Sequence, residues 1–434
     1  MRNALNLLKL SPLKQASTTT LTTNDPTIVS EKSLSWFSKV EAFFACTVTC
    51  LMLLVPLSIG ALNPTAEVAA ALAALIAIVL VCLNFQKYSS KIPKPIKVTM
   101  LVFAIYFSIG GATYFIFPPA PDSLSNISTT LHFILFCPIL MVMLKHPPKA
   151  TWAWLAIIGG ATLNGLHTIY FDSRGSINPI LFGGISVILA FASLLSWENF
   201  KHNKLLLLLP MLGFLFGILA SFNSLARGSW IAIPPLCILI SYYIYIRTND
   251  KKRLVFPFIA LSIALIGTAA LGWSKIESRT NLAVKEAQEY FNGGNYQTSV
   301  GYRLETYKGA LLVLKENPII GVGVGHRESA FEDLTNRGLL RDLSYIQNAH
   351  NQLLADAINK GWLGVLSFLL MMLFLLRLFY KNAHKSPFSA VGLTLIVGFG
   401  FIGLTNITFT HGTFNTFFVA LVAIALAHEA KVSE

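Results

Sequence analysis

Three residues lying outside the apolar segments are of types that handle an anion or a proton. Arg227 stands at the outer end of an apolar stretch, in Ser224-Leu-Ala-Arg-Gly-Ser-Trp230. A guanidinium at such a position must meet water, a partner or an anion, so it is either an anion ligand or an interfacial arginine reaching back to water. Arg303 lies near the start of a helical pattern, in Thr298-Ser-Val-Gly-Tyr-Arg-Leu-Glu-Thr-Tyr307. There, backbone amides and a guanidinium would share one anion, and two arginines suit a diphosphate. The plain alternative is a surface ion pair with Glu305 or another nearby Glu. His350, in Gln347-Asn-Ala-His-Asn-Gln-Leu353, falls in the first turn of an expected helix capped by Asn348, where the positive dipole end keeps the imidazole neutral. A neutral ring accepts a proton, although a capping or hydrogen-bonded loop histidine is the commoner role. His167, His326 and His411 also fall on the outer side with nothing local to single them out.

These residues depend on a membrane scaffold for their positions. Of 434 residues, 54% are hydrophobic and 12% charged, with a mean hydropathy of +0.62; a soluble domain carries about 25% charge. Segments of roughly 20 apolar residues read as spanning helices. They run over 41–61, 66–85, 98–118, 129–144, 152–170, 179–197, 205–222, 230–246, 254–273, 362–379, 388–405 and 416–428. The fourth and twelfth are short. The expected fold is all-α and polytopic, with about twelve transmembrane helices. Lys and Arg fall on alternate connections: only Arg174 and Arg227 sit in short outer loops, which places both termini in the cytoplasm. The expected organisation is a cytoplasmic tail over 1–40, helices one to nine over 41–273, a large extracytoplasmic loop over 274–361, and the last three helices over 362–434.

The long loop holds ten basic and ten acidic residues and reads as folded. Short helices are expected over 280–291 and 299–317, the second with Tyr302, Tyr307, Ala310, Leu311 and Leu314 on one side and Pro318 as its stop. Gly321, Gly323 and Gly325 predict a flexible turn. The Asn348-capped helix then ends at Lys360 and Gly361, the usual basic and glycine ending.

Several chemistries are excluded. A charge of +13 suggests nucleic acid only if it clusters on a soluble face, and here it lies in short runs between apolar segments. All five cysteines fall within apolar segments, so no disulfide framework is expected. No HExxH, Asp-x-Asp or paired ligand spacing supports a metal, no GxSxG elbow supports a serine nucleophile, and no cofactor is expected.

The arrangement resembles the superfamily of bacterial O-antigen ligases and polymerases. The resemblance rests on Leu-Ala-Arg-Gly at the end of the seventh span, Ser299-Val-Gly-Tyr-Arg-Leu-Glu-Thr-Tyr307, Asn317-Pro-Ile-Ile-Gly-Val-Gly-Val-Gly325, and Ala349-His-Asn-Gln-Leu-Leu354 followed by Gly361-Trp-Leu-Gly364. It implies a GT-C-like membrane glycosyltransferase of the bacterial inner membrane with a periplasmic active site. Its donor would be glycan on undecaprenyl diphosphate, its acceptor a hydroxyl of the lipid A core, and transfer would be metal-independent and inverting. Arg227 and Arg303 would hold the diphosphate and His350 would activate the acceptor. Many members carry an acidic residue nine positions after the histidine. Here that position is Asn359, so its role does not carry over, and Asp356 is not substituted for it. The single long loop favours the ligase. The alternatives are a polymerase using the same donor, a protein O-oligosaccharyltransferase, or a lipid-linked oligosaccharide flippase. A flippase would place ionisable groups near mid-membrane rather than at helix ends.

Overall fold

The computed structural model describes residues 26–248, 277–342 and 349–433, apart from 119, 121, 122, 172, 174 and 279. The expected span over 254–273, together with Arg174 and Asn348, lies outside the described residues. All described regular structure is helical, giving an all-α polytopic membrane protein. Residues 26–42 form one unit, entirely helical, and residues from Phe43 onward form the other.

In chain order the helices are α1 Pro26–Ser58, α2 Asn63–Leu83, α3 Phe85–Ser89, α4 Lys94–Ile116, α5 Ser123–Thr130, α6 His132–Lys145, α7 Ala150–Tyr170 and α8 Pro179–Leu194. Then come α9 Trp197–Phe200, α10 Leu208–Asn223, α11 Arg227–Trp230, α12 Ile233–Thr248, α13 over 280–291, α14 Ser299–Glu316, α15 Arg327–Asn336, α16 Gln352–Asn382, α17 Pro387–Gly403 and α18 Gly412–Ser433. Among the described residues, seven helical segments are long and apolar enough to cross a membrane, and α8, α10 and α17 are shorter apolar helices. Every expected span within the described residues coincides with a helix.

Local chemistry sets the starts. Asn178 accepts from the Ile180 amide at 2.9 Å ahead of Pro179, and Ser386 accepts from the Phe388 amide at 3.3 Å ahead of Pro387. The two short spans are longer than expected. The fourth runs on from α5 into α6, giving 23 residues, and α18 offers 19. The modest hydropathy of α18 has a packing reason: 83% of its apolar window is buried, so its lining is protein rather than lipid. Small residues let neighbours close on one another. A side chain at Gly160 would meet the Pro56 carbonyl, and one at Gly165 the Phe216 carbonyl.

The segment after α13 departs from expectation in two places. First, α14 buries Gly301, Glu305, Thr306, Gly309, Ala310 and Val313, while Leu311 is exposed. The inward stripe is small because the Phe331 ring and Leu340 lie against Gly309. Second, the glycine turn is clamped. Gly321, Gly323 and Gly325 take φ of 63°, 88° and 89° and face the Ile358 carbonyl, the Phe117 ring and Ser123. The first arm of α16 reaches its end at Lys360 and Gly361 as expected, leading directly into the tenth span. The helix breaks there, at φ 60° and ψ −153°, and resumes. The break removes helical partners, and the glycine turn replaces them. Val322 N donates to Ile358 O at 2.9 Å, Trp362 N to Pro318 O at 2.8 Å, and Leu363 N to Ile319 O at 3.2 Å.

This docking predicts that Gly321→Val is strongly destabilising. Its Cβ would stand 2.2 Å from the Ile358 oxygen at a left-handed φ. Strain of about 1–3 kcal/mol before any clash would lower the thermal midpoint of the detergent-purified protein.

Candidate active site

Arg227 opens α11 from a turn knotted by serines. Ser224 Oγ donates to Ser221 O at 2.6 Å, Ser229 Oγ to Ala226 O at 2.7 Å, and Trp230 Nε1 to Ser221 O at 3.3 Å. Leu225 takes a left-handed φ of 55°, turning the chain sharply enough to present an exposed Arg227. The next residue ties this turn to the end of α17, because Thr405 Oγ1 donates to Gly228 O at 2.9 Å.

That same end of α17 holds the His350 segment. Asn351 Nδ2 donates to Leu404 O at 3.2 Å, while Asn351 Oδ1 accepts from Leu354 N at 3.2 Å. Asn351 is therefore the helix cap, and His350 precedes the helix instead of occupying its first turn. It takes a φ of 46°, a conformation in which its backbone cannot continue a right-handed helix. Among the described residues, its Nδ1 is buried without a hydrogen-bond partner.

Arg303 sits one turn into α14, half-buried, behind Thr298, whose Oγ1 accepts from Gly301 N at 3.0 Å. One turn further, the Tyr307 hydroxyl lies 3.5 Å from His350 O. The ion pair with Glu305 is not formed. Glu305 is 1% exposed, and its oxygens accept from Tyr290 OH at 2.7 Å and Arg341 N at 2.9 Å, with Lys308 at 3.6 Å. Arg303 lies near enough to His350 for its charge to act on the imidazole.

The structure brings together Arg303 and His350, and it joins the Arg227 turn to the His350 segment through residues 404–405. His167 meets Ser173 and Phe171, and His326 meets Phe117. Burial pushes the His350 pKa below the ordinary 6.5, and the guanidiniums of Arg303 and Arg327 add to the effect. Neutrality of the ring therefore has a cause other than the helix dipole. A rate that requires neutral His350 will decline on acidification with its midpoint below 6.5, as a pH–rate profile at saturating donor would record.

Sequence reasoning missed a buried cluster six and ten residues beyond the histidine. Asp356 and Lys360 are 2% and 4% exposed and form an ion pair at 2.5 Å. Tyr106 OH donates to the Asp356 carboxylate, at 3.1 and 3.2 Å from its two oxygens. The available signal was an acid and a base at i and i+4 ahead of a long apolar run. Among the described residues, no group of three or more acidic, His or Cys side chains is arranged to hold a metal.

Residues 212–369, from α10 into α16 and including Arg227, Arg303 and His350, match the family described as O-antigen ligase. An uncharacterized protein of Haemophilus influenzae is 25% identical over 312 residues, covering 68% of this chain and 78% of that protein. The O-antigen ligase of Escherichia coli strain K12 is 27% identical over 184 residues, 41% of either chain. The segment that holds Arg227, Arg303 and His350 is thus similar to the O-antigen ligase family.

Proposed function

We propose that this protein is a glycosyltransferase of the bacterial inner membrane. It moves O-antigen glycan from undecaprenyl diphosphate to a sugar hydroxyl of the lipid A core. The observation that carries this reading is the approach of the Arg303 helix to a part-buried His350 through Tyr307, with the Arg227 turn tied to the same end of α17. The alternation of Lys and Arg supports a periplasmic position for that end, cytoplasmic termini, and the long loop over 274–361 as the periplasmic domain.

In this reading Arg227 and Arg303 bind the diphosphate and stabilise the charge that grows on it as the anomeric C–O bond breaks. His350 takes the proton of the acceptor hydroxyl, whose oxygen attacks the anomeric carbon from the face opposite the diphosphate. Configuration inverts in one displacement. Diphosphate leaves as a stabilised anion, so no enzyme acid or nucleophile is needed. Both substrates are lipid-anchored, and their head groups meet where the helix ends and the loop converge.

The test is lipopolysaccharide gel analysis of a strain lacking the protein, complemented with wild type or with Arg227→Ala at matched expression. Polymerised glycan held on its carrier, with bare core, is expected for the deletion and to a large extent for Arg227→Ala. A core bearing one repeat unit would identify a polymerase. Normal banding in the deletion would overturn the reading.

A further inference from the structure

The Asp356–Lys360 cluster is a device with no place in the displacement above. Its members span three parts of the fold. Tyr106 comes from α4. Gln352, Asp356 and Lys360 come from the arm of α16 ahead of the Gly361 break, and the Phe409 amide comes from the link between α17 and α18. Gln352 Nε2 donates to Asp356 Oδ2 at 3.0 Å, and its Oε1 accepts from Phe409 N at 2.8 Å. Lys360 Nζ stands 3.8 Å from the centroid of the Tyr106 ring. Its aliphatic stem fills a slot left by two glycines, with Cδ 3.9 Å from where a Gly110 side chain would begin and Cβ 2.4 Å from the same point at Gly364.

Burying an ion pair is an inefficient way to hold two helices together, since an apolar pair of similar volume is often as stable. What charge and directed hydrogen bonds supply is orientation. Here they fix the first two turns of α16 against α4, and the link between α17 and α18 grips the same turns twice, at Asn351 through Leu404 O and at Gln352 through Phe409 N. His350 is the next residue outward. It precedes the helix in a left-handed conformation, so its direction is set by how the following residues are held.

We propose that Asp356, Lys360, Tyr106 and Gln352 are positioning residues that aim His350 at the acceptor hydroxyl beside Arg303. This inference rests on the proposed role of His350 as base. It assigns the cluster to turnover and not to donor capture.

The test uses the full-length protein in nanodiscs with undecaprenyl diphosphate-linked glycan and core lipopolysaccharide, reading undecaprenyl diphosphate release. Asp356→Leu combined with Lys360→Met replaces the pair by apolar side chains, and Tyr106→Phe removes a single hydroxyl. For both, the expected result is a fall in kcat of roughly 10- to 100-fold with donor KM and the melting midpoint unchanged. Lys360→Arg, which keeps the charge, should recover most of the rate. Unchanged kcat in both variants would overturn the proposal, as would losses that track the folded fraction in all three, since the cluster would then serve stability alone. His350→Ala run in parallel separates the two claims: full activity there removes the base role itself, whatever the cluster variants do.

Discussion

His350→Ala is expected to lower kcat by about 10²–10⁴-fold, the usual contribution of a positioned base, while leaving donor KM within a few-fold of wild type. The split follows from the geometry. The imidazole is neutral through burial and through two neighbouring guanidiniums, so it has little to offer an anionic diphosphate and much to offer a hydroxyl proton. Truncation should also be tolerated by the fold, because the side chain precedes the Asn351 cap and its Nδ1 holds no hydrogen bond among the described residues. Single-turnover measurements with preloaded donor, together with a melting curve, would check both halves. A wild-type rate in the variant would remove His350 from the chemistry.

Arg303→Ala has the second large effect, a loss of about 10²–10³-fold in kcat/KM, comparable to removing one preorganised donor from a developing anion. Unlike the histidine variant, it should weaken donor capture as well, since in the proposed role the guanidinium would contact the diphosphate before and during bond cleavage. Arg303→Lys should restore part of the loss, because the charge returns without the planar fork. The Glu305 carboxylate is occupied by Tyr290, the Arg341 amide and Lys308, so the charge removed is not half of a structural pair. Donor titration of the kinetics for both variants would test this contrast, and an unchanged kcat/KM for Arg303→Ala would exclude it from the site.

Much of the scaffold was legible because lipid imposes a simple rule: backbone groups must be satisfied within a helix, so long apolar runs become helices. The reading failed where protein replaces lipid as the surroundings. The last span looked short because its ends are polar, but α18 is enclosed by other helices and needs no lipid-matched length of apolar residues. The face of α14 was misread for a related reason. Periodicity of large apolar residues identifies a stripe that packs on side chains, whereas this helix brings Gly301 and Gly309 up against its neighbours.

The site divides in the same way. Arg227, Arg303 and His350 were legible as residue types in unusual positions. Their joining was not, because it runs through backbone atoms of Gly228, Leu404 and His350 that carry no sequence signature. The cap was misplaced by three residues because Asn348 and Asn351 are equally good candidates by type. The Asp356–Lys360 pair escaped because spacing alone reads as a helix-surface pair, and only the fold shows it enclosed.

That enclosed pair also constrains how the chain is made. Tyr106 precedes Asp356 by 250 residues, so its helix leaves the ribosome long before its partner exists. As the α16 arm emerges, its carboxylate and ammonium have only each other to offset the cost of leaving water. The finished contact thereby makes burial of this pair depend on correct placement of α4, whose Tyr106 hydroxyl completes the set of groups around the carboxylate.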